Sequence, residues 1–112
     1  MNTQVQNAAA VAATASTAVM AARVRFEDLK RRADQRGSVS AELEAEFNSA
    51  QEALWAALSA RDRADEEFEA LYYEALKRDV ECVKRSYSGT RLYGALRRSG
   101  VDVAAARNYG LC

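Results

Sequence analysis

Histidine, proline and isoleucine are absent from this 112-residue sequence, and cysteine occurs twice. Without histidine the chain lacks the side chain that most often moves protons or binds metal near neutral pH. A di-metal carboxylate centre in a helical bundle would need Glu-x-x-His pairs, so the abundant glutamates cannot build one. Pairs such as Glu66 with Glu69, or Glu42 with Glu46, read instead as solvated helix faces. Glycine is scarce, five in all, and forms neither a P-loop nor a GxGxxG turn, which removes the usual phosphate cradles. Cys82 and Cys112 are too few and too far apart for a disulfide scaffold or a metal site, and they lack a partner base. The expectation is a protein that is not an enzyme, with no catalytic residue, cofactor or metal. Cys82 is expected as a small core residue and Cys112 as a free thiol, which favours a reducing compartment.

Long hydrophobic runs are also missing. Residues 8–22 look at first like a signal peptide, but nothing basic precedes them and they contain no leucine. Alanine is too weakly apolar for a membrane span, and Thr14, Ser16 and Thr17 interrupt the run. A cytoplasmic protein is expected. Net charge is absent as well, with 16 basic and 16 acidic residues, yet the balance hides a segregation. Residues 1–40 carry six bases and three acids (+3), residues 41–81 four and twelve (−8), and residues 82–112 six and one (+5). Opposite-signed segments suit association within or between chains, and a basic tail suits an acidic partner.

What is present is helix. Residues 41–87 contain neither Gly nor Pro, and their large apolar groups recur every three or four positions: Leu43, Phe47, Leu54, Leu58, Phe68, Leu71, Tyr72, Leu76, Val80, Val83 and Tyr87. That spacing is helical, with Ala50, Ala57, Ala64 and Ala75 filling the gaps. At about 1.5 Å per residue the helix would be roughly 70 Å long. Arg61 falls within this stripe and is costly there if buried alone, so either the helix is locally exposed over residues 61–65 or Arg61 meets an acid across an interface; the same segment is where the helix is expected to bend if it bends.

A first helix is expected over about residues 4–36, capped at Asn2, Thr3 or Asn7, with Thr3 the most economical. Its stripe of Val5, Ala8, Ala12, Ala15, Val19, Ala22, Phe26, Leu29 and Ala33 is mostly alanine. Gly37 sits where a helix-ending glycine belongs, after Arg31, Arg32 and Arg36, and Ser38 or Ser40 then caps the long helix, followed by Glu42, Glu44 and Glu46. So short a connection makes the helices antiparallel. About Val39 the stripes mirror: Leu43 falls opposite Ala33, Phe47 near Leu29, Leu54 near Ala22 and Phe68 near Ala8. Large residues thus face small ones. The mirror runs out near Tyr72. Leu76, Val80 and Val83 then need another cover, either the C-terminal segment or a second copy.

Short helices are expected over about residues 91–98, with Thr90 as cap, and 103–107, with Asp102 as cap, while Gly110, Leu111 and Cys112 should fray. The fold expected is all-α: a long antiparallel helical hairpin with a short helical C-terminal segment, working as a homodimer, in one domain spanning residues 1–112.

Residues 87–98 gather Tyr, Arg and Leu at a helical break, a composition enriched at interface centres. The expected partner-binding set is Leu76, Val80, Val83, Tyr87, Arg91, Leu92, Tyr93, Leu96, Arg97 and Arg98. The other reading of Tyr87, Leu92, Tyr93 and Leu96 is that they cover the overhanging long helix. A rival class is nucleic-acid binding. Residues 92–107 align with a helix-turn-helix that has Gly100 at its turn, but the second helix offers only Arg107 and Asn108. Alternatively Arg23, Lys30, Arg31, Arg97 and Arg98 could contact RNA phosphates.

In size, in its Ala/Arg-rich helices and in the Tyr-Arg-Leu tail at residues 87–98, the chain resembles small all-helical bacterial anti-activators that bind LuxR-type quorum-sensing receptors and block their dimerisation. Short inhibitory proteins of bacteriophages look much the same. The resemblance implies a regulatory protein that occludes a protein partner such as a transcriptional regulator, and it assigns no site residue.

Overall fold

In the computed structural model, residues 3–37, 39–86 and 91–112 are described. Four helices follow in order: α1, Thr3–Arg36; α2, Ala41–Ser86; α3, Leu92–Arg98; and α4, Val103–Asn108. The protein is all-α, with α1 packed on α2 as a hairpin and two short helices after it. Among the described residues no helix is long and apolar enough to cross a membrane. The chain divides into two compact units, Asn7–Glu67 and the combination of Met1–Gln6 with Phe68–Cys112.

The first unit is the body of the hairpin. Gly37 ends α1 with φ +69°, a left-handed conformation that glycine adopts without a Cβ clash. Of the three arginines before Gly37, Arg36 occupies the last turn of α1, where its charge complements the helix dipole, while Arg31 and Arg32 reach back to Asp28 at 2.7 and 3.1 Å. Ser40 caps α2: its Oγ accepts from the Leu43 amide at 3.1 Å. Ser38 and Asn2 lie outside the described residues, and Thr3 is the first helical residue rather than a cap preceding the helix. Leu29, Leu43 and Ala50 form a buried cluster with Ala33 and Phe47 against it, as the mirror about Val39 requires. The Phe26 and Phe47 rings meet at 5.0 Å. Farther along, Ala60 and Ala64 of α2 line one groove with Ala10, Ala15 and Ala18 of α1, again at mirrored positions.

Arg61 takes a third course. Its side chain is half-buried, and its guanidinium lies 3.6 Å from the carboxylate of its neighbour Asp62. α2 continues unbroken through residues 61–65.

The second unit holds the larger core. Leu76, Val80, Val83, Ala95, Leu96 and Ala106 are buried together, with Tyr72, Leu92, Val101, Val103, Leu111 and Cys112 packed around them. The cover over the end of α2 is therefore the chain's own C-terminal segment. Cys82 is exposed, contrary to its expected place in the core. At 100° per residue it lies well off the line through Val80 and Val83.

Two tandem helix endings fold that segment back. After α3, the Gly100 amide donates to the Arg97 carbonyl at 3.1 Å and the Val101 amide to Leu96 at 3.0 Å. After α4, the Gly110 amide donates to Arg107 at 3.0 Å and the Leu111 amide to Ala106 at 2.8 Å. Both are Schellman motifs, with glycine at positive φ and the next apolar residue turned back onto the core. Leu111, expected to fray, is instead packed on the core, and its carbonyl accepts from Lys84 Nζ at 2.8 Å. Asp102 caps α4 as expected, its Oδ1 accepting from the Ala105 amide at 3.0 Å.

Candidate functional site

The expected partner-binding residues separate into two groups. Leu76, Val80, Val83 and Leu96 are buried, and Leu92 is half-buried against them. They are core, not contact surface: α3 and α4 remove the apolar stripe that would have been offered to another molecule. Tyr87 lies outside the described residues, as does Thr90. Arg91, Tyr93, Arg97 and Arg98 are exposed, and Tyr93 retains 41% of its accessible surface.

This exposed group gains members from α4 and the turn after it. The Arg107 guanidinium lies over the Tyr93 ring, 5.3 Å from its centroid, a cation–π contact between α4 and α3. Tyr109, 42% exposed, meets Tyr73 of α2 edge-on at 5.4 Å. Arg98 folds along α3, its Nη1 3.5 Å from where a Cβ on Gly94 would stand. Among the described residues, no carboxylate pairs with Arg91, Arg97, Arg98 or Arg107. Tyr109 was missed in the sequence, and a signal for it exists. Arg-x-Tyr-Gly occurs at residues 91–94 and again at 107–110.

Beside this surface is a cavity of about 560 Å³, lined by Val5, Tyr72, Ala75, Arg78, Asp79 and Asp102 among others. Burial pushes the Tyr72 phenol above its ordinary pKa. The nearby Asp102 charge, then Tyr109 and a hydrogen bond to the Asp102 side chain, push it the same way. Asp102 thus serves the α4 amide and the Tyr72 hydroxyl together, which leaves it occupied with structure. No group of three or more His, Cys, Asp or Glu suited to a metal occurs among the described residues.

The helix-turn-helix alignment also meets a geometric limit. α4 has six residues, less than two turns, whereas a recognition helix must lie along the major groove. Comparison with protein-family models, curated proteins and solved structures finds no match to this chain.

Proposed function

We propose that the protein is a non-enzymatic interaction protein that binds an acidic surface of a protein partner through Arg91, Tyr93, Arg97, Arg98 and Arg107. The supporting observation is the Tyr93–Arg107 stack, held on a tight core and ringed by arginines that no described carboxylate neutralises. Tyr and Arg bury much area and keep polar handles, and a platform fixed by two Schellman turns loses little entropy when it docks. Covering the partner's own assembly surface would make it an inhibitor of the anti-activator kind, the mode the resemblance implies. Unpaired arginines on one face also favour a second reading, contact with nucleic-acid phosphates.

The test replaces Tyr93 by a photo-crosslinking residue in the full chain and identifies the captured protein by mass spectrometry. Tyr93→Ala with Arg97→Glu should abolish binding of that protein while leaving thermal unfolding unchanged. Undiminished binding by this variant would refute the surface. Retention of duplex DNA or RNA at low salt, falling steeply as salt rises, would transfer the site to the second reading.

A further inference from the structure

The cavity beside Tyr72 lies wholly within the unit formed by Met1–Gln6 and Phe68–Cys112. Its floor reaches the core: Val5 and Leu76 are almost fully buried, and Ala75 and Val101 extend the apolar wall. At about 560 Å³ it has the size of a small-molecule site, and it has the usual make-up of one, apolar walls with a few convergent polar groups. Three charged side chains line it, Arg78 and Asp79 from α2 and Asp102 from the turn before α4. Asp102 is already engaged, by the Ala105 amide and the Tyr72 hydroxyl. Arg78 and Asp79 are not: neither side chain makes an ion pair or hydrogen bond with a described residue. For Arg78 that is informative. Glu74 stands four residues before it and Glu81 three after, spacings at which a helix offers ready ion pairs, yet the guanidinium lines the cavity and pairs with neither. Asp79, one position on, is turned from it by about 100° around α2, so the two share one cavity without neutralising each other.

We propose that this cavity binds a small amino acid with an apolar side chain. Its carboxylate meets the Arg78 guanidinium, its ammonium meets the Asp79 carboxylate, and its side chain lies on the wall of Val5, Ala75, Leu76 and Val101. The charges select the class. One unmatched cation and one unmatched anion in the same cavity call for a ligand that carries both signs, since a plain acid or a plain amine leaves one of them unanswered. Charge-assisted hydrogen bonds are the strong ones, and a guanidinium holds a carboxylate through two of them, which fixes the ligand's orientation as well as its affinity. The apolar wall gives the side chain a surface to bury, and burying it favours apolar amino acids over polar ones. The site shares no residue with the arginine face and is independent of its reading. Because its walls come from the start of α1, from α2 and from the turn between α3 and α4, a bound amino acid would also tie these elements together.

The test titrates the isotope-labelled full chain with L-leucine, L-methionine and L-phenylalanine, each to about 10 mM, and follows amide NMR signals. At least one of the three should move the Gly100 and Val101 signals saturably. The amine and the carboxylic acid that share that amino acid's side chain should each bind at least about tenfold more weakly, having lost one charged hydrogen bond. Arg78→Gln and Asp79→Asn should weaken binding by a similar factor and leave thermal unfolding unchanged, both side chains being exposed and without described partners. Glu81→Gln, off the cavity, should bind as wild type does. No saturable shift with any of the three, an amine or acid that binds as well as the amino acid, or affinity that survives Arg78→Gln would each overturn the proposal. So would a loss of affinity in Arg78→Gln that comes with a lower Tm, because the guanidinium would then serve the fold.

Discussion

Leu96 and Tyr93 are three residues apart in one short helix and have opposite duties. Leu96 is fully buried between α2 and the turn after α3, whereas Tyr93 keeps 41% of its surface. Leu96→Ala should cost roughly 2–5 kcal/mol in urea unfolding, through lost transfer energy and the cavity left behind. Tyr93→Ala should fall within about 0.5 kcal/mol of wild type, because an exposed ring loses little on truncation. Equal losses would mean that Tyr93 is core. Tyr72 gives a pH test. Its folded pKa lies above the ordinary 10.0, so the folded state holds the phenolic proton after the unfolded chain has released it. The stabilisation is complete below pH about 10 and is lost as pH rises through the folded value. Urea midpoints should therefore decline more steeply above pH 10 in wild type than in Tyr72→Phe. Parallel declines would remove the role given to Asp102.

At the scale of elements, the two glycine turns carry the C-terminal segment onto α2. Gly100 and Gly110 sit at φ +79° and +72°, where a Cβ meets no neighbour but the backbone itself is strained for an L-residue. Gly100→Ala and Gly110→Ala should each destabilise the protein by about 1–2 kcal/mol. Thermal melts in which Gly94→Ala, at ordinary φ inside α3, proved as costly would contradict this. These turns also explain what could be read beforehand. The long helices and their pairing were legible because Leu43 must meet Ala33 once Gly37 and Ser40 fix so short a connection. Asp102 announced α4 by its own capping chemistry. The cover over Leu76, Val80 and Val83 was legible only as two alternatives, the C-terminal segment or a second copy, since helical spacing shows that a stripe must be buried but not by what. Gly followed by an apolar residue at Val101 and Leu111 was the missing clue: a Schellman ending places that residue back against its helix. Cys82 shares the helix with Val80 and Val83 but not their face, and its angle about the axis, legible in its position, puts it in solvent.

On the scale of the whole chain, burial is unevenly shared. The unit containing Phe68–Cys112 encloses six mutually packed buried residues, while the principal cluster of Asn7–Glu67 has three and relies on alanines that each remove little area from water. Local opening free energy follows such burial, so the two units should not open together. Native-state hydrogen exchange should find the slowest amides at Leu76, Val80, Ala95 and Leu96, with faster exchange over residues 7–22 despite a complete helical ladder there. Uniform protection across both units would argue for a single cooperative structure in place of two.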